Sequence, residues 1–154
     1  MIKIVRADSE NADFVTLVVL LDAELRIRDG DDHAFYAQFN KIDSIREVVV
    51  VYSDEAAVGC GAIKPYADGT AEIKRMFVKP ENRGRGIAGQ ILKELESWAA
   101  ELGFHECILE TGFKQPEAIA LYKRSGYTVI PNYGQYAGVG NSVCMKKTIG
   151  AGDV

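Results

Sequence analysis

The chain has 154 residues, 47% of them hydrophobic and 26% charged, and a formal net charge of −4. That is length for one core, read as a single domain over residues 1–154. The acidic balance excludes a global basic field for nucleic acid or an anionic membrane, so any anion site has to be local. Cys60, Cys107 and Cys144 form no C-x-x-C pair. They read as apolar strand fillers rather than a disulfide framework or zinc site, and no metal is expected. The N-terminus MIKIVRADSE lacks the layout of a signal peptide, and the longest apolar run, Phe14 to Leu21, is too short to span a bilayer. A reducing, cytoplasmic setting is the expectation.

In chain order, Ile2 to Arg6 reads as a first strand. A helix follows from about Ser9 to Arg28, capped by Ser9 or Asn11 and ending near Gly30, although the β-branched run FVTLVVLL leaves a strand open there. A shorter helix is expected over His33 to Lys41. Then the period changes: strands over Glu47–Ser53 and Ala57–Lys64 flank a turn at Asp54 and Glu55, and Asp68-Gly69 turns the chain into a third strand, Ala71–Val78, ended by Pro80. Ile87, Ile91, Leu92, Leu95, Trp98 and Ala99 recur at helical spacing, giving a helix from Gly86 to Leu102 that Gly103 stops. A strand at Glu106–Glu110, a helix from Pro116 to Ser125 closed by Gly126, and strands at Tyr127–Ile130 and Ser142–Lys147 complete the chain. This order predicts an α/β (α+β) fold, a single mixed, mostly antiparallel sheet with helices on both faces.

The stretch RGRGIA, Arg83 to Ala88, lies between a strand and the first turn of a long amphipathic helix. Glycines leave backbone amides uncovered, and the free N–H groups of the helix end add to them, so the turn suits a pyrophosphate; Arg83 and Arg85 contribute charge. The same pattern occurs as a plain basic turn capping a helix. A P-loop is excluded because no Lys-Ser or Lys-Thr follows the glycines, and a dinucleotide fold would place them after a first strand of a parallel sheet. His33 and His105 are lone histidines and read as structural. No cysteine sits at a helix N-terminus that would activate it as a nucleophile.

The chain resembles the GNAT N-acetyltransferases. Their motif [Q/R]-x-x-G-x-[G/A] is matched by Arg83, Gly86 and Ala88, and the aliphatic end of the preceding strand by Val78. The later A-x-x-L-Y-x-x-x-G-[F/Y] is matched by Ala118, Leu121, Tyr122, Gly126 and Tyr127. The resemblance implies acetyl-CoA as donor, with the pantetheine arm paired along Met76, Phe77 and Val78 and the Met76 amide at the thioester carbonyl. The amides of Arg83, Gly84, Arg85, Gly86, Ile87 and Ala88 would hold the pyrophosphate. Gln115 stands where many members carry an Asn that bonds the cofactor, and Ala118 opens the tyrosine helix. Tyr122 matches the family's acid. Glu72 lies where some members carry a general base, although a carboxylate on a strand also reads as a surface residue paired with Lys74.

The acceptor is less defined. Regular alternation places Glu72, Lys74 and Met76 on one face and Ile73, Arg75 and Phe77 on the other, with a bulge expected to disturb the count. Lys74 near the base suits a small amine carrying a carboxylate, such as an amino acid. Asp22, Glu24, Asp31 and Asp32 would suit a polyamine or cationic peptide, or are simply solvated. Tyr133 and Tyr136 either wall the acceptor pocket or pack a hairpin. The expected partner is therefore a small-molecule amine, with homodimer formation left open. A non-catalytic CoA-binding module and acetylation of a protein or peptide amine are the alternatives.

Overall fold

A computed structural model describes residues 1–30 and 45–150. The helix expected over His33–Lys41 lies outside the described residues, as do Asp31 and Asp32. Seven strands form one mixed sheet: β1 (Ile2–Ala7), β2 (Glu47–Ser53), β3 (Ala56–Ala67), β4 (Thr70–Val78), β5 (Glu106–Gly112), β6 (Thr128–Ile130) and β7 (Ser142–Thr148). Their spatial order is β1-β2-β3-β4-β5-β7-β6. Every neighbouring pair is antiparallel except β4 and β5. That parallel pair needs a crossover, supplied by helix α2 (Ile87–Glu101).

Helix α1 (Ala12–Asp29) resolves the ambiguity of the FVTLVVLL run. The Asn11 side chain accepts from the Phe14 amide at 2.9 Å and fixes the start, while Gly30 closes the end with a φ of 57°. Phe14, Leu17, Val18 and Leu21 recur at helical spacing and are buried on the sheet. Beneath them lie Val48, Val50, Cys60, Ala62 and Phe77, and the opposite sheet face packs Val49, Val51, Ile63 and Ile73 against Ile87, Ile91, Leu92 and Leu95 of α2. The EVVVVYS strand is buried on both faces, so its apolar run is continuous rather than alternating. The turn at Asp54 and Glu55 holds both residues at positive φ, 50° and 74°, as a tight hairpin of matching twist requires.

The expected bulge lies in β4, and it changes the face count. Cys60 pairs with Phe77 and Ala62 with Lys74, so Gly61 alone faces both Arg75 and Met76. Arg75 takes a φ of 61°, a left-handed conformation rare outside glycine. Met76 therefore turns to the α2 side with Ile73, and Phe77 turns to the α1 side. The regular alternation expected for Glu72, Lys74 and Met76 does not hold. Gly61 is needed opposite the bulge, because a Cβ there would lie 2.7 Å from both Ile91 Cγ2 and Met76 Sδ.

The bulge also ends the pairing of β4 with β5. Their register runs only from Thr70↔Glu106 to Glu72↔Ile108. β5 continues beside β7 to Gly112, while among the described residues the edge of β4 beyond Glu72 has no strand partner on that side. The two strands separate into a cleft. Helix α3 (Pro116–Arg124) follows β5 and lines it.

Candidate active site

The cleft consists of two adjoining chambers. The larger, about 290 Å³, is lined by Met76, Phe77 and Val78 of the open β4 edge, by Arg83, Gly84, Gly86, Ile87 and Ala88, and by Gln115, Ala118 and Tyr122. The smaller, about 140 Å³, holds Glu72, Lys74, Arg75, Glu110 and Tyr136. Leu21, Met76, Gln115, Ala118 and Tyr122 line both chambers and mark their junction.

At the far end of the larger chamber, Gly84 and Gly86 take φ values of 82° and 77°, which a side chain would strain. Gly86 caps α2 without a side-chain cap, and the first helical bond is Gln90 N–H to the Gly86 carbonyl at 3.1 Å. The amides ahead of it are left free at the positive helix end. Gly89 lines the same space, is under no φ constraint, and a Cβ there would meet no atom within 4 Å. The missing side chain thus leaves open chamber beside the helix end. Such a cradle fits a pyrophosphate, and the unpaired β4 edge fits an extended, amide-bearing arm.

The two arginines of the glycine stretch differ. Arg83 Nε donates to the Val78 carbonyl at 2.8 Å and Nη2 donates to Glu24 Oε1 at 2.8 Å, so this side chain ties the loop to β4 and α1 and its charge is matched. Arg85 reaches towards Ser53 Oγ at 3.5 Å and does not line the chamber, whereas Arg124, at a variable position of the tyrosine-helix motif, does. Asp22 and Glu24 are not simply solvated: Asp22 accepts from Arg75 at 3.2 Å and Glu24 from Arg83. His105 is exposed where β5 begins, its amide bonded to the Gly69 carbonyl.

Glu72 sits at the last position of β4 that pairs with β5 and is 3% exposed, so it is not a surface carboxylate. Its Oε2 accepts from the Tyr133 hydroxyl at 2.8 Å, and Lys74 Nζ lies at 3.9 Å. Burial, reinforced by Glu72, raises the Tyr133 hydroxyl far above its usual range. Burial pulls the Lys74 ammonium down, and Glu72 opposes the shift. Tyr133 packs edge-on against Tyr66 and Tyr136, with ring centroids 5.1 and 5.8 Å away, and Tyr136 lines the small chamber. The two tyrosines thus both pack the segment before β7, while Tyr136 walls the small chamber and Tyr133 holds Glu72.

Tyr122, on α3, is 7% exposed and stacks edge-on with Tyr127 at 6.0 Å. Burial first, and Glu110 second, push its hydroxyl up beyond the usual range, so it keeps its proton at ordinary pH. A buried carboxylate in one chamber and a protonated phenol at the junction form an acid–base arrangement facing a helix-end anion cradle. Cys60, Cys107 and Cys144 are free and buried, and burial raises the Cys60 and Cys107 thiols to about 12.

The sheet with its splayed parallel pair is the acyl-CoA N-acyltransferase fold. A Klebsiella pneumoniae structure assigned as an acyl-CoA N-acyltransferase superposes with a TM-score of 0.81 at 30% identity, over 97% of this chain and 98% of that one. The PaiA N-acetyltransferase of Thermoplasma acidophilum, solved in complex with coenzyme A, shares the fold at a TM-score of 0.72 and 19% identity, over 96% of this chain and 99% of its own. Residues 15–127 match the model of the acetyltransferase (GNAT) family, and the chain belongs to that family. An IAA acetyltransferase of Azospirillum brasilense is 39% identical over 93 residues, 60% of this chain and 61% of its own length. The Bacillus subtilis N-acetyltransferase YjcF is 33% identical over 60% of this chain and 64% of its own. The matches thus span under two thirds of the length of these curated relatives.

Proposed function

We propose that the chain transfers an acetyl group from acetyl-CoA to the primary amine of a small acceptor, by direct attack within a ternary complex. The observation that carries this reading is the continuity of the two chambers. A free helix end and an open strand edge lead to Tyr122, and beyond it lies a smaller chamber lined by buried Glu72. Gly84 to Ala88 and the start of α2 hold the pyrophosphate, Met76 to Val78 pair with the pantetheine arm, and Gln115 and Ala118 border the reacting end. Bound acetyl-CoA supplies the activated carbonyl.

Glu72, directly or through a water, accepts the proton that an acceptor ammonium must lose before attack. The Met76 amide, on the unpaired edge, donates to the oxyanion. Tyr122 presents its hydroxyl proton to the departing thiolate. Because that hydroxyl is raised, its role is that of a hydrogen-bond donor first and a proton donor only as charge develops on sulfur. The small chamber supports a small acceptor over a peptide. Three free buried cysteines support a cytoplasmic setting.

Glu72→Gln tests the base. Turnover should fall by about 10²–10⁴ near neutral pH, with the KM for acetyl-CoA unchanged, and should recover as rising pH deprotonates the acceptor in solution. Undiminished turnover at every pH contradicts the assignment.

A further inference from the structure

Arg75 is the least satisfied side chain of the small chamber. Its side chain is 2% exposed, yet only Nη1 has a partner, Asp22 Oδ1 at 3.2 Å. Nε and Nη2 are buried without any hydrogen bond, the sole such side-chain atoms among the described residues. Leaving donors of a buried cation unmatched is costly, and the chain also accepts a left-handed backbone at this arginine. These two nitrogens lie on the same edge of the guanidinium, whose parallel N–H groups form the fork that fits the two oxygens of a carboxylate.

The bulge brings Arg75 to the chamber. Regular alternation would send Arg75 to the face away from Glu72; instead both residues line one space, with Lys74, Glu110 and Tyr136. The carboxyl groups of Glu72 and Glu110 suit an ammonium, and Arg75 and Lys74 suit an anion. Asp22 matches part of the Arg75 charge but engages the other nitrogen, leaving the fork free.

We infer that Arg75 is a specificity residue that binds the carboxylate of the acceptor, so that the acceptor class is amino-carboxylates rather than simple amines, polyamines or peptides. This inference rests on the acetyltransferase reading above. Cys60 supports the arrangement by donating its thiol proton to the Arg75 carbonyl at 3.4 Å, which steadies the bulge.

The test is CoA release from acetyl-CoA with amino acids, each paired with the amine left when its carboxylate is removed. For at least one pair, kcat/KM should favour the carboxylate-bearing member by about tenfold or more. In Arg75→Gly, which suits the positive φ, that preference should collapse while acetyl-CoA affinity, read by calorimetry, stays the same; Arg75→Asn, also tolerant of that backbone, is the second variant. Equal kcat/KM within every pair overturns the inference and leaves acetyl transfer standing. So does a preference that survives in a folded variant, or acetyl-CoA binding with no turnover of any amino-carboxylate. Failure to bind acetyl-CoA at all overturns the underlying reading.

Discussion

At the scale of single residues, burial decides what the site can do. The Glu72 carboxyl group is 3% exposed, is bonded by one tyrosine hydroxyl, and lies 3.9 Å from a lysine whose ammonium is pulled down by burial. Tyr122 is the complementary case, a phenol kept protonated by burial. Tyr122→Phe keeps the ring that packs on Tyr127 and removes only the hydroxyl. It should lower kcat by about tenfold to a hundredfold with little change in the KM for acetyl-CoA, read from initial rates. Equal kcat in the two proteins would rule out the donor role. The placement of Glu72 on β4 and of Tyr122 on the helix before Gly126 was legible in the sequence, because each sits at a fixed offset from a glycine or strand signal, whereas the burial of Glu72 was not. Arg75 was not, since nothing in an arginine announces a φ of 61° or an unpaired fork. The pairings of Asp22 with Arg75 and Glu24 with Arg83 were equally hidden, because they join positions 53 and 59 residues apart.

At the scale of elements, one extra residue in β4 creates the cleft. It ends the ladder with β5 at Glu72↔Ile108, frees the strand edge, and turns Arg75 inward. The start of α2 supplies the other half, and Gly89 offers a test with opposite signs. Glycine inside a helix costs about 0.5–1 kcal/mol relative to alanine. Gly89→Ala should therefore raise Tm slightly, since its Cβ meets no atom within 4 Å. The same Cβ occupies space beside the proposed pyrophosphate cradle and should raise the KM for acetyl-CoA severalfold. A more stable protein with unchanged KM would place the cofactor elsewhere. Most elements were readable because periodicity and glycine stops coincide, as at Gly103 and Gly126, whose φ values are 94° and 99°. β3 ran past its expected end at Lys64 to Ala67, since hairpin pairing with β4 extends it beyond its apolar stretch.

At the scale of the whole molecule, the single sheet buries its titratable groups along with its core. Cys60 and Cys107 are raised from 9.0 to about 12, and the buried Tyr122, Tyr127 and Tyr136 and the partly buried Tyr133 are raised above 10.0. Each group holds its proton more tightly folded than unfolded. Their contribution to stability is thus full below pH ~9 and is lost as pH rises towards the folded values. The urea midpoint should fall between about pH 8 and about pH 10.5, with each thiol contributing on the order of 2 kcal/mol. A midpoint constant over that range would mean these groups are not buried as described. The overall sheet class was legible from element order, whereas the neighbours β5-β7-β6 were not, because strand order depends on long-range pairing that no local pattern encodes. The central claim is amine-dependent acetyl transfer through a ternary complex, and initial-rate measurement of CoA release tests it most directly, varying acetyl-CoA at several fixed concentrations of acceptor amine. The account predicts release that requires the amine and double-reciprocal lines that converge. Parallel lines, release indifferent to the amine, or acetyl-CoA bound without turnover of any amine would contradict it.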